Sequence, residues 1–207
     1  MFADGVALVA SSPYGLQRLL DVVGEFCAEV GMSINANKTA VVIFQREDKG
    51  PVEPLYADLN VVLSSGAHLP KVASFKYLGV EFHNTAWLCH AGQVKAAAAG
   101  RALGAFWRGA QSKKVICKDT LLRVYKAMVL PVGLYGSGVW GMRYLSLANA
   151  GCVFTSPLQD VQSRFLRLLF MTGPSHSRWV LHKNACLPPV QALFLQSAAR
   201  LWSVRKG

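Results

Sequence analysis

The chain has 207 residues, 52% of them hydrophobic and 16% charged, with 22 Lys+Arg against 11 Asp+Glu and a formal net charge of +11. That balance excludes a disordered chain, and the length is enough for one large domain or two small ones with a real core. No run of about 18 apolar residues occurs, which excludes a membrane-spanning helix, and the N-terminus, with Asp4 and no basic residue ahead of its apolar stretch, makes a poor signal peptide.

The first segment, Phe2–Ala10, is short, apolar and rich in small and branched residues, and reads as a buried strand. Ser12 and Pro13 then supply an N-cap and a first helical residue. Leu16, Leu19, Leu20, Val23, Cys27 and Val30 follow at three- and four-residue steps, one apolar face of a helix that Gly31 stops. Ala40–Phe44 reads as a second buried strand and Gln45–Pro54 as a loop. Val61–Leu63 and Phe75–Phe82 form a third β region, with a bulge or tight bend at Gly79. The period then changes. Helices are expected over Gln93–Trp107, Lys118–Val129, Ser156 to about Met171, and Pro189 to Arg205, with Pro131–Gly141 a turn-rich connector.

Charge follows the same division. Residues 1–92 hold 6 basic and 9 acidic residues, a net −3, whereas residues 93–207 hold 16 basic residues and, as acids, Asp119 and Asp160, a net +14. Such an asymmetry points to a polyanion-binding half, nucleic acid ahead of an ordinary solvated surface. The five cysteines are scattered and form no Cys-x-x-Cys pair, as expected of free thiols in a reducing compartment. His176, His182 and Cys186 match no common zinc-ligand spacing.

The opening Phe2-Ala3-Asp4-Gly5-Val6-Ala7-Leu8 resembles the Tyr/Phe-Ala-Asp-Asp signature of reverse transcriptases. Ser11-Ser12-Pro13, the amphipathic helix, Gly31 through Thr39, Phe75-Lys76-Tyr77-Leu78-Gly79-Val80, and Leu130-Pro131 through Val139-Trp140-Gly141 follow in the order and spacing of polymerases from LINE-type retrotransposons, which lack long terminal repeats. The resemblance covers most of the chain and is weakest after Cys152. It implies an α+β fold: a truncated polymerase palm, an antiparallel sheet with a packed helix, over residues 1–92 with a primer-grip hairpin; thumb-like helices and a connector over 93–150; and a helical extension over 151–207.

In that family two Mg²⁺ ions activate the primer 3′-hydroxyl and stabilise the leaving pyrophosphate, held by carboxylates because Mg²⁺ takes hard oxygen ligands. The resemblance assigns Asp4 to the catalytic and metal-binding pair, Lys38 to protonation of the departing pyrophosphate, and Phe75, Lys76, Tyr77, Leu78 and Gly79 to the primer grip. Gly5 replaces the second aspartate, and the earlier strand with its own aspartate is expected to lie before Met1. The chain is therefore expected to be inactive alone and to retain no Mg²⁺. The basic half, with Lys95, Arg101, Arg108, Lys113, Lys114, Lys118, Arg123 and Lys126, is expected to bind a nucleic-acid duplex through its phosphates. Trp107, Trp140, Trp179 and Trp202 are read as core in preference to base-stacking residues, and Arg164 and Arg167 equally as a solvated face or phosphate contacts. Neither a membrane nor a small-molecule substrate is expected, and the family implies an intracellular setting, the nucleus included. Two alternatives stand beside this reading: a mobile-element relic without function, and an enzyme active only when the missing palm and fingers are supplied elsewhere.

Overall fold

The computed structural model describes residues 5–44, 59–85, 87–115, 117–148 and 156–204. The chain forms two compact units, Met1–Trp87 and Leu88–Gly207. The described part is rich in α-helix with one small antiparallel sheet, an arrangement compatible with an α+β class. Among the described residues no helix is long and apolar enough to cross a membrane.

In the first unit, helix α1 spans Pro13–Glu29. Its start is local chemistry: the Ser12 hydroxyl accepts from the Gly15 amide at 3.1 Å, and Pro13 needs no amide partner in the first turn. Gly31, at φ 72°, closes the far end. Leu20 and Gly24 are buried and Leu16, Val23 and Cys27 half-buried, but Leu19 and Val30 of the expected apolar face are exposed, as are Val22 and Phe26. The core against α1 is Leu20 with Val41, Val61, Leu63 and Leu69. A side chain stitches it: the Gln17 carboxamide donates to the Val62 carbonyl at 2.7 Å and accepts from the Val62 amide at 3.1 Å, imitating the pair of bonds a neighbouring strand would make.

The expected strands here are largely absent. Residues 5–10 form no strand, and Val9 is 86% exposed. Residues 40–44 contribute one parallel bridge, Val41 to Lys71, and residues 61–63 one antiparallel bridge, Val62 to His68. Apolar, branched residues favour an extended chain, but a strand exists only where a ladder partner is aligned with it. The Phe75–Phe82 run is two strands: β1, Ser74–Tyr77, pairs antiparallel with β2, Val80–His83, placing Phe75 opposite Phe82 and Lys76 opposite Glu81. Leu78 (φ 47°) and Gly79 (φ 77°) make the two-residue turn, both left-handed, as the twist of a tight hairpin requires.

The second unit is helical. Helix α2, Trp87–Ser112, is longer at both ends than its apolar pattern, with Ala91, Ala96, Ala99, Leu103 and Ala110 buried. Helix α3, Lys118–Val124, runs into a π-helical turn, Tyr125–Val129, in which the Leu130 amide reaches the Tyr125 carbonyl five residues back. Helix α4, Leu130–Leu134, continues from it, so Pro131 does not begin a connector. Proline lacks an amide and crowds the carbonyl four residues before it, and a widened turn accommodates both defects. Gly133 then allows close approach: a Cβ there would fall inside contact distance of Leu158 and 3.2 Å from the Ala99 Cβ. The short helix α5 (Ser137–Trp140) takes the place of expected turns, and α6 (Met142–Ala148) follows directly after the connector.

Helix α7, Pro157–Phe170, repeats the capping device, the Ser156 hydroxyl accepting from the Gln159 amide at 3.2 Å. Helix α8, Arg178–Ala185, ends on Cys186 at φ 46°, and α9, Val190–Val204, follows. The core here is aromatic. Trp140, fully buried, meets Phe194 at 5.0 Å and Tyr144 at 6.1 Å, each edge-on, and donates its indole N–H to the Tyr135 carbonyl at 3.0 Å. Trp107 is half-buried, whereas Trp179 and Trp202 are 59% and 66% exposed, which overturns their reading as core.

Candidate nucleic-acid interface

The cations of the second unit separate into groups. On α2, the 100° step of the helix puts Arg101 and Arg108 on one face, seven residues and about 10 Å apart, roughly 140° from buried Ala96 and Leu103 respectively. Both are exposed. Lys95 is not part of that row. It is half-buried, with its ammonium 4.5 Å from the centre of the Tyr135 ring, a cation–π contact.

Lys113 and Lys114 lie just past the end of α2, where its last carbonyls concentrate negative partial charge, and the Lys114 amide bonds back to the Gln111 carbonyl at 3.0 Å. Lys118 opens α3 with its ammonium 5.2 Å from the Phe170 ring centre. Arg123 and Lys126, three residues apart, are exposed at the entry to the π turn. Between the lysines, the exposed Cys117 thiol is held below its usual range, chiefly by a hydrogen bond from the Thr120 hydroxyl, helped by the Thr120 and Asp119 amides. Seven of the eight expected cations are thus exposed on α2, its link, α3 and the π turn, in a unit whose sequence holds two acids. Arg164 is exposed too, while Arg167 is half-buried and donates to the Pro174 carbonyl at 3.4 Å, so this pair is not a matched phosphate clamp.

In the first unit the hairpin presents Lys76 to solvent opposite Glu81, and Leu78-Gly79 at its tip. The Tyr77 hydroxyl reaches the Gly5 carbonyl at 3.3 Å. Lys38 ends a short 3-10 turn and is exposed. Asp4 lies outside the described residues. Among the described residues of the first unit, Gly5 offers no side-chain oxygen, Asp21, Glu25 and Glu29 line the outer face of α1, Glu81 accepts from the Ser74 hydroxyl at 3.2 Å, and no three potential ligands converge.

A second locus escapes sequence reasoning altogether. Buried Gln159 on α7 joins His182 on α8, Nε2 to Nε2, at 2.9 Å; His182 Nδ1 meets the Leu187 carbonyl at 2.8 Å; and the Val190 amide donates to Gln159 Oε1 at 2.8 Å. These partners fix a neutral ring that donates from Nδ1 and accepts at Nε2. Burial pushes the His182 pKa down, the charge of Arg178 adds to that effect, and the Leu187 carbonyl opposes it. Both ring nitrogens are used, which removes His182 as a zinc ligand. The partners lie 5 to 31 residues apart in sequence, and neither spacing nor periodicity marks them.

The chain matches two curated proteins of mobile elements. It is 29% identical over 143 residues to a transposon-derived protein of Caenorhabditis elegans, covering 67% of this chain and 47% of that one. It is 36% identical over 85 residues to a retrovirus-related Pol polyprotein from a type-2 retrotransposable element of Drosophila melanogaster, covering 41% of this chain and 8% of that one. The chain thus spans about half the length of the first relative and under a tenth of the second. No family model matches the chain, and no solved structure matches it. The two similarities support a retrotransposon-related origin.

Proposed function

We propose that this chain, retrotransposon-related in origin, is a segment of an RNA-directed DNA polymerase that has no catalysis of its own and binds nucleic-acid duplexes without sequence preference. In this reading β1 and β2 are the primer grip, with Phe75, Lys76, Tyr77, Leu78 and Gly79 seating a primer end, and the second unit is a thumb-like bundle that follows the phosphate backbone. The observation that carries the binding is the set of exposed cations, Arg101, Arg108, Lys113, Lys114, Lys118, Arg123 and Lys126, on consecutive elements of a unit with almost no acids. Cations of this kind gain affinity by displacing condensed counterions, which requires no base contact.

Inactivity follows from the donor set. One aspartate, Asp4, stands where two are needed, and Lys38 has no leaving group to serve. The test is primer extension on an RNA template with Mg²⁺ or Mn²⁺, paired with duplex binding by fluorescence anisotropy. No extension is expected, even after Gly5→Asp, together with duplex binding at low salt. Template-dependent extension by the purified chain would overturn the inactive reading. Failure to bind duplex at low salt would favour the relic, which predicts neither property.

A further inference from the structure

Helix α8 and the segment after it enclose an open, apolar groove of about 610 Å³, to which α8 contributes Trp179, Val180 and Lys183 and the following segment Leu187, Pro188 and Pro189. Its back wall is built before any ligand arrives. The Leu187 carbonyl is held by His182 Nδ1 at 2.8 Å, the Pro188 carbonyl by the Gln162 amide group at 2.7 Å, and the Val190 amide by Gln159 Oε1 at 2.8 Å. Two consecutive prolines fix φ over the same stretch. Three successive attachments to buried side chains leave the lining little freedom to lose on binding.

The occupant must satisfy two properties. Trp179, 59% exposed beside this lining, offers a flat apolar face. The lining includes the cationic Lys183, and the segment that builds it is basic: residues 156–204 hold Arg164, Arg167, Arg178, Lys183 and Arg200 against Asp160, whose carboxylate is already paired with Arg178 at 3.3 Å. A duplex keeps its base faces stacked internally and presents phosphates, so it would leave the apolar lining uncovered. An unpaired strand presents free base faces and phosphates together.

We propose that the α8 groove is a docking site for unpaired bases of single-stranded nucleic acid, with Trp179 as the stacking platform and Lys183 against the adjoining phosphate. The proposal rests on the reading that the basic unit binds nucleic acid, and it adds a site separate from the cations of α2 and α3.

The experiment uses the full chain with fluorescein-labelled oligothymidylate and oligouridylate, and an RNA–DNA duplex of equal length, at low salt. Trp179→Ala is expected to weaken single-strand binding roughly ten-fold or more, the loss of one stacked base, while duplex binding stays within two-fold. Trp179→Phe should retain most of the single-strand affinity, because a ring remains. Single-strand affinity unchanged in Trp179→Ala, with duplex binding intact, overturns the groove and leaves the duplex reading standing. Binding of neither probe by the unaltered chain overturns both. Sedimentation supplies the last outcome: self-association lost in Trp179→Ala would assign the groove to a second copy of the chain and overturn the proposal.

Discussion

The rings of Tyr125 and Phe165 lie face to face, with centroids 3.9 Å apart and planes within 3° of parallel. Tyr125 belongs to the π-helical turn and Phe165 to α7, and both are fully buried. The contact joins the least regular part of the helical unit to one of its most regular helices. Its cost sits on one atom: the buried Tyr125 hydroxyl has no hydrogen-bond partner among the described residues, and desolvation pushes its pKa up. Tyr125→Phe keeps the stacked rings and removes an unsatisfied polar group, so stability in urea should be unchanged or higher by about 1 kcal/mol. Phe165→Ala should cost about 3–5 kcal/mol. A clear loss of stability in Tyr125→Phe would show that the hydroxyl has a partner, such as a bound water.

Stability should also depend on pH through His182. Its folded pKa lies below its unfolded value of 6.5, because burial disfavours the charged ring and the charge of Arg178 adds to that, outweighing the Leu187 carbonyl. The unfolded chain therefore binds the proton more readily. The stabilisation is complete above about pH 6.5, falls as pH drops below that value, and levels off below the folded pKa. A flip of the Gln159 carboxamide does not rescue the protonated state, since Oε1 would then leave the Val190 amide. Urea midpoints at pH 8 and pH 5.5 should differ more in the unaltered chain than in His182→Asn, which keeps a donor for Leu187 but cannot titrate. Equal differences would remove His182 as the cause.

The hairpin offers a substitution in the opposite direction. Leu78 holds φ 47°, a conformation that costs an ordinary side chain about 1–2 kcal/mol and that asparagine tolerates. Leu78→Asn should stabilise the first unit by about 1 kcal/mol, measured by thermal unfolding. If it destabilises instead, the Leu78 side chain, only 45% exposed, makes packing contacts worth more than the backbone strain.

For the basic surface, Lys113, Lys114 and Lys118 replaced together by Gln should flatten the salt dependence of duplex binding. Each phosphate contact contributes about −0.9 to the slope of log K against log salt, so three lost contacts change it by up to about 2.7. A slope that does not move would place the binding cations elsewhere, with Arg101, Arg108, Arg123 and Lys126 the next to neutralise.

What the sequence discloses is what neighbouring residues decide. Ser12-Pro13 and Ser156-Pro157 mark helix starts because a cap acts within three residues. Gly31 and Gly79 mark reversals because only their own φ is at stake. Residues 5–10 mislead, since their composition favours an extended chain while a ladder requires a distant partner. Trp179 misleads in another way. Its apolar neighbours Val180 and Leu181 suggest core, yet of these three residues Leu181 alone turns inward. The Gln159–His182 network leaves no trace, because polar residues far apart in sequence look like surface until the fold buries them.

Leu121, Tyr125, Val129 and Gly133 are all buried, each four residues after the last. In a regular helix every such step leads by about 40°, and over twelve residues the row would wander about 120° around the axis. The additional residue in the π turn takes back one step of about 100°, so Gly133 returns to about 20° from Leu121 and all four stay within about 30° of a common line. Pro131 is thus tied to a phase correction: the widened turn that accommodates the imino acid also keeps Gly133 in register with Leu121, on the side where Leu158 approaches. A straight α-helix through this segment would need the opposite edit, one residue deleted between Tyr125 and Val129 and the proline replaced, to present the same row to α7.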